Sequence, residues 1–393
     1  MKVIIIGAGI GGTSAGIALK RLGHDVVIYD QMKENKPVGA ALSLWSNGVK
    51  VLNWLGLGEE VAALGGDMAF MSYADGHTGE ELCRFSLAPI TEQTGQKPHP
   101  VARADLQALL MERFGLDDVK LGMRMEGIDD DGETVTVTFA DGSIDTADML
   151  IGADGARSIT RDYVTPDGEP VPVREYAGYT NFNGLIPANE AIGPKNQWTS
   201  YVAEGKRACV MPVAGDRFYF WFDVPQEAGL PYDRSDGVGP LKQAFDGWAP
   251  GAQALIEAID PDASLNRVEI WDISPFPSWT KGRVAILGDA AHNTAPDIGQ
   301  GACSALEDSF ALGIAVATNT ISVEDTLRRY ARIRAERAGE LVLRARRRGE
   351  ETHMYDAAAT TAWYSSLQGA DGTGIIKGIV SNITGSPINL GGG

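Results

Sequence analysis

The sequence is poor in the residues that most often bind metals or staple small folds. Its 393 residues include three cysteines and five histidines. Cys83, Cys209 and Cys303 lie far apart, with no C-x-x-C pair and no Cys/His ligand spacing. Neither a disulfide framework nor a zinc site is indicated, and a reducing, cytoplasmic setting fits. Positive charge is also scarce: 34 Lys and Arg stand against 52 Asp and Glu, for a net charge of -18. Such a chain repels nucleic-acid phosphates rather than neutralising them, so no nucleic-acid partner is expected. No apolar run reaches the ~18 residues needed to span a bilayer. Strand-forming residues begin at Lys2, which leaves no room for a signal peptide, so the expectation is a soluble protein with no membrane partner.

One region runs against the overall charge. Nine arginines fall between Arg328 and Arg348, on a stretch that reads as one long helix over 323–350. With Glu336 and Glu340 a helical turn away, the expectation is a solvated, ion-paired helix face.

The clearest unit is at the start. Val3-Ile4-Ile5-Ile6 is an apolar strand, Gly7-Ala8-Gly9-Ile10-Gly11-Gly12 a turn, 14–22 a helix ended by Gly23, and 26–29 a second strand. The glycine string fits G-x-G-x-x-G in its required setting between strand and helix. The first glycine permits the tight turn, the second lets a pyrophosphate approach the backbone, and the third lets helix and strand pack. Phosphate charge would then sit at the helix N-terminus. Asp30 ends the second strand, 18 residues after Gly12, where an acid binds ribose hydroxyls. NAD and FAD fit this unit equally.

Further along, 134–139 alternates strictly and turns at Asp141-Gly142, and 149–152 is a buried strand. Runs at 198–204, 207–213 and 218–224 suggest an antiparallel, aromatic-rich sheet, with short helices near 238–246 and 251–259. βα character returns at 284–287, followed by the loop Gly288-Asp289 and a helix over 303–317. Residues 369–393, rich in Gly and Ser, read as a loosely packed tail. The expected architecture is α/β: a discontinuous, Rossmann-like nucleotide-binding domain from 1–172 and 268–350, an inserted mainly antiparallel β-sheet domain over 173–267, and a C-terminal helix and tail over 351–393.

Two more acid–glycine segments follow buried strands: Asp154-Gly155-Ala156-Arg157-Ser158, and Gly288-Asp289-Ala290-Ala291-His292 running on to Pro296, Gly299 and Gly301. Singly, each is ordinary turn chemistry. In this order, after G-x-G-x-x-G, they resemble the fingerprints of the para-hydroxybenzoate hydroxylase-like (class A) flavoprotein monooxygenases, over roughly residues 1–350. The resemblance implies bound FAD, held through Gly7, Gly9, Gly11, Gly12, Asp30, Gln31, Ser43, Arg103, Met125, Asp154, Asp289, Gly299, Gln300, Gly301, Ala302 and Cys303. Asp289 would meet the ribityl or pyrophosphate region, and 299–303 would offer backbone N–H groups to the flavin ring. Arg103 would meet the phosphates, with Gln107 one helical turn on. Asn is more usual in the family where this chain has Cys303, which reads as a small buried thiol. His292 belongs to the loop rather than to a metal site, since no third ligand is near in sequence.

Longer stretches are similar to the FAD-dependent urate hydroxylases of bacterial purine breakdown: Pro37–Lys50, Tyr179–Leu185, Glu204–Arg207, Arg217–Phe220 and Thr294–Gly301. That similarity implies substrate contacts from Asn181 and Arg207, with Tyr219 in the same pocket. It also places Asp297, where relatives usually have an uncharged residue, close to Arg207. The chemistry suits urate, an anion with ring N–H donors and carbonyl acceptors, because a planar guanidinium pairs with two acceptors at once. The implied reaction uses NADH, with NADPH open, and O2; a flavin C4a-hydroperoxide then hydroxylates urate at C5. An aromatic-acid hydroxylase of the salicylate type, an FAD-dependent dehydrogenase and a non-catalytic flavin protein remain alternatives, and a homodimer is compatible with the sequence.

Overall fold

Val3, Ile4 and Ile5 are fully buried, as the middle strand of a sheet covered on both faces requires. In the computed structural model, which describes residues 1–34, 40–318 and 321–390 apart from the side chains at 263, 264 and 390, Lys2–Ile6 pairs in parallel with Met149–Gly152 on one side and Asp25–Asp30 on the other. Val284–Ile286 extends the parallel set beyond Met149–Gly152, and Val119–Leu121 beyond Asp25–Asp30. Thr280–Lys281 adds an antiparallel edge. The helices Ile10–Arg21 and Gly301–Thr318 pack together against this sheet. An antiparallel meander, Met125–Asp130, Val135–Phe139 and Ile144–Ala147, lies beside it.

The second sheet has seven strands, in the order Asn266–Ile273, Arg174–Pro187, Arg217–Pro225, Lys206–Val213, Gln197–Ala203, Phe70–Asp75 and Glu81–Ser86. All its pairings are antiparallel except that of Gln197–Ala203 with Phe70–Asp75. The sheet therefore reaches beyond the expected 173–267 segment, taking two strands from the N-terminal third and one that runs to Ile273. Alternation tells which face of a strand is buried but not which sheet it joins, so this long-range pairing had no local signature. A two-stranded ribbon, Ala41–Leu44 with His99–Ala102, completes the strands that reach the groove described below.

The long helix Val323–Thr352 corrects the expected solvated face. Leu327, Tyr330, Arg334, Ala338, Leu341 and Ala345 form one buried stripe at helical spacing, and Arg334 within it is fully buried. Arg328, Arg329, Arg332 and Arg347 remain exposed. The expected loose tail is also helical. Ala357–Leu367, Thr373–Thr384 and Pro387–Leu390 are helices, and Ile376, Val380 and Ile383 bury an apolar face. Gly391–Gly393 lies outside the described residues, as does Pro37–Gly39 of the urate hydroxylase-like stretch. Among the described residues no helix is long and apolar enough to cross a membrane.

Candidate active site

Two adjoining cavities, of about 270 and about 350 Å³, share Gly9, Arg103, Ala153 and Gly155 as lining. They form one groove that runs from the carboxyl ends of the parallel strands to the face of the seven-stranded sheet. Ligands of open α/β sheets bind at such strand ends.

The first half is built around the glycine turn. Gly7 has a φ of +110°, and a Cβ there would lie 2.2 Å from the Ala153 carbonyl oxygen. A Cβ on Gly12 would lie 1.9 Å from the Gly7 oxygen, so only glycine lets the helix sit this close to the strand. A Cβ on Gly9 would meet no protein atom within 4 Å and would stand in the groove instead. Helix Ile10–Arg21 begins at Gly9 with no side-chain cap, leaving its first N–H groups for a ligand. Asp30 accepts hydrogen bonds from the backbone N–H groups of Ala8 (2.7 Å) and Met32 (2.8 Å), tying the second strand to the turn. Gln107 donates to the Ala8 carbonyl. Gln31, Met125 and Arg103 line this half, and among the described residues the Arg103 guanidinium has no protein partner. Asp154 also lines it, but its carboxylate accepts from Ser158 Oγ (2.5 Å) and from the N–H groups of Ile159 (2.9 Å) and Thr160 (3.0 Å). The D-G-x-x-S segment is thus a bracket that opens helix Ile159–Val164.

The loop after Val284–Ile286 lines the second half. Asp289 is exposed to the groove and has no protein partner among the described residues. Gly299, at φ +63°, ends the turn Pro296–Ile298, and Gly301 and Ala302 open helix Gly301–Thr318 toward the cavity, facing Ser43 of the ribbon. Gln300 and Cys303 do not line the groove. Gln300 accepts from Asn47 Nδ2 (2.9 Å), and Cys303 is buried against Gly48, because the start of the helix turns these positions to its back. Burial pushes the Cys303 thiol up to about 12, so it stays protonated. His292 is buried behind the loop with Nε2 2.6 Å from Asp308, whose carboxylate also accepts from the Gly288 N–H (2.8 Å). No cluster of His, Cys, Asp and Glu able to hold a metal occurs among the described residues.

The far end is a row across the seven-stranded sheet. Register places Arg207 opposite Asp223, and Asp223 opposite Asn181. Tyr219, Trp221 and Asp223 share the cavity face of their strand, while Phe218, Phe220 and Phe222 alternate into the core behind it. Arg207 Nε lies 2.8 Å from Asp223 Oδ2 and Nη2 lies 2.9 Å from Asp297 Oδ1. Nη1 has no protein partner among the described residues, leaving one face of the guanidinium for the cavity. Asn181 donates to Asp223 (2.7 Å) and accepts from Asn183 (2.8 Å), so it orients the acid as well as lining the cavity. Tyr179 donates to Asp297 Oδ2 (2.6 Å), and His353 Nε2 lies 3.3 Å from Asp297 Oδ1.

Burial alone would push the Asp297 carboxyl up. Hydrogen bonding from His353 and the charge of Arg207 outweigh it and hold Asp297 well below the usual carboxylate range. Burial likewise opposes the Arg207 charge, but Asp223 and Asp297 reverse it and keep the guanidinium firmly cationic. Burial pushes the Tyr219 phenol upward, so it remains a hydroxyl that donates. Tyr219 stacks on Trp221 (5.0 Å), which meets Trp198 edge-on (5.5 Å), giving the cavity a flat aromatic wall.

The structure therefore brings Asn181, Arg207, Tyr219 and Asp297 together at one end of the groove. Residues not anticipated from sequence are Asp223, Tyr179, His353, Trp198 and Trp221. Asp223 had a signal: it is the acid on the same strand face as Tyr219. His353 had none, because it arrives from 146 residues away.

The family model described as "FAD binding domain" matches residues 1–345. An FAD-dependent urate hydroxylase of Mycolicibacterium vanbaalenii is 56% identical over 390 residues, 99% of this chain and 98% of that protein. One of Klebsiella pneumoniae is 48% identical over 99% of this chain and all of its own length. Among solved structures, Klebsiella pneumoniae HpxO complexed with FAD and uric acid superposes with a TM-score of 0.95 at 47% identity, covering 99% and 98% of the two chains. A salicylate hydroxylase substrate complex, at 24% identity and a TM-score of 0.78, shares the fold.

Proposed function

The chain belongs to the FAD-binding domain family, and from that premise we infer that it is an FAD-dependent urate hydroxylase, converting urate to 5-hydroxyisourate with O2 and a nicotinamide donor, NADH. The observation that carries this reading is the free face of Arg207, held between two carboxylates at the end of a groove whose other half suits a dinucleotide, in a chain similar over its full length to urate hydroxylases. The groove fits FAD on its own terms: an uncapped helix N-terminus, a glycine whose Cβ would occupy the cradle, and, among the described residues, an unpaired guanidinium at Arg103 and an unpaired carboxylate at Asp289. Bound there, FAD would relay reducing equivalents from the nicotinamide to O2 and so supply the activated oxygen for hydroxylation.

The remaining work falls to side chains. Gly9 and the first N–H groups of helix Ile10–Arg21 would take the pyrophosphate with Arg103, and Asp30 and Asp289 would take hydroxyl groups of the ribose and ribityl chains. The N-terminus of helix Gly301–Thr318 would favour negative charge on the reduced ring. Arg207 Nη1 would donate to a urate oxygen, and its charge favours the anion over the neutral purine. Tyr219 would donate from its protonated hydroxyl, and the Trp198–Trp221 wall would hold the flat ring in plane and exclude water. No protein base is required, because urate arrives already ionised.

The test is steady-state turnover. Urate should stimulate NADH oxidation with matching oxygen uptake and little hydrogen peroxide, while salicylate should not. Absence of stimulation by urate defeats this reading.

A further inference from the structure

The long helix Val323–Thr352 ends at His353, its C-cap residue, which carries its ring into the charged row beneath the substrate end. Nδ1 lies 2.9 Å from the Gly205 carbonyl. A carbonyl only accepts, so Nδ1 holds a hydrogen. Nε2 lies 3.3 Å from Asp297 Oδ1 and 3.3 Å from Arg207 Nη2. In the neutral ring Nε2 is then a bare acceptor, suited to Arg207 but turned against a carboxylate. In the imidazolium it carries a hydrogen and donates to Asp297. The ring has nowhere else to turn, being buried and stacked on Tyr179 with centroids 3.9 Å apart.

The groups around it come from every neighbouring element. Asp297 faces it from the loop, Arg207 and then Asp223 from the sheet, and Tyr179 lies across its face. The Tyr364 hydroxyl accepts from the Gly205 N–H (2.9 Å), and Arg348 on the same helix is held over the Trp363 ring. Glu204, beside Gly205, is exposed and paired with Lys206 (2.9 Å). The buried row of Arg207, Asp223 and Asp297 therefore carries one net negative charge when His353 is neutral and none when it is an imidazolium. An anion docking on Arg207 Nη1 is opposed in the first state and not in the second.

We propose that His353 is a positioning residue that sets the charge of the Arg207–Asp297 pair, so that the site takes up a proton as it takes up an anionic purine. This deepens the urate reading and rests on it. Linkage makes the coupling reciprocal: protonation strengthens anion binding by the factor by which the anion strengthens protonation.

The test is calorimetric titration of urate into the oxidised holoenzyme, where no turnover occurs, in buffers of different ionisation enthalpy from about pH 6 to about pH 9, a range that spans histidine titration. The wild type should take up part of a proton per urate bound, and its affinity should fall about tenfold across the range, the scale of one nearby charge in a partly solvated site. His353→Gln and His353→Asn, checked for retained FAD by absorbance, should bind urate without proton uptake and with a flattened pH profile. Uptake unchanged from wild type in either FAD-retaining variant overturns the proposal. So does wild-type binding without proton exchange, a result that stands even if neither variant folds. Failure of the wild type to bind urate at any pH instead overturns the urate reading, and this inference with it.

Discussion

Two buried charge clusters flank the loop at 288–303, and they put the same chemistry to opposite uses. Behind the loop, fully buried Arg334 donates to Asp308 (2.7 Å), Glu307 (2.6 Å) and Ser304 Oγ (2.8 Å), while Arg337 adds a second clamp on Glu307 (2.8 Å). Every nitrogen of Arg334 is committed to the protein. In front of the loop, Arg207 is also held between two carboxylates, yet Nη1 is left over and the cluster opens on the cavity. A saturated arginine fixes the backbone of helix Gly301–Thr318 and, through Asp308, the Gly288 turn. An unsaturated one is a binding group already oriented and already desolvated, so a ligand need not order it. What would distinguish a binding ion pair from a structural one here is the single donor left without a partner among the described residues, not burial or charge.

Removing the cation from each cluster should break the comparison in different places. Arg334→Met takes the shared guanidinium from buried Glu307 and Asp308, leaving Arg337 to the first and His292 to the second, and should cost about 3–5 kcal/mol of stability, read as a large drop in melting temperature with loss of FAD. Arg207→Gln should keep FAD but lower kcat/KM for urate about a hundredfold, the scale of a lost charged hydrogen bond. Part of the NADH oxidation should persist and divert to peroxide; unchanged product per NADH would show that Arg207 does not anchor substrate.

A smaller effect separates the acids. The Asp297 carboxyl is held below its ordinary value, so its interactions add stability above the unfolded carboxylate pKa of about 4 and lose it as pH falls through that value toward the lower folded one. Asp297→Asn should therefore flatten part of the acid limb in denaturation measured below about pH 5. Glu307 and Asp308 contribute to the part that remains, because their carboxyls are also lowered: burial pushes each up, but Arg334 with Arg337 for the first, and His292 with Arg334 for the second, outweigh it. The smallest expected signal is Cys303, whose raised thiol should resist alkylation at about pH 8 until the chain unfolds. Rapid modification of the folded holoenzyme would show that the back of the loop is open.

Legibility followed sequence distance. The turn at Gly7–Gly12, the helix behind it and Asp30 form a local unit, and local periodicity carried it into the structure intact. The proximity of Arg207 and Asp297 came from resemblance, not from spacing, since 90 residues separate them. Asp223 enters the same row only through antiparallel register, and His353 only through the packing of a helix from the other domain. Arg334 misled for a physical reason: a charge on an arginine-rich helix looks solvated unless its acids are known, and they lie 26 and 27 residues earlier in the chain. The strands at 70–86 read as part of the nucleotide-binding domain because nothing in their own pattern names Gln197–Ala203 as a neighbour.

The parallel strand order also dictates a timetable. Lys2–Ile6 is synthesised well before its neighbour on one side, Met149–Gly152, and Val284–Ile286 completes that flank later still. A growing chain therefore makes the phosphate half of its groove long before the loop that would contact the flavin ring, and it makes His353 after both.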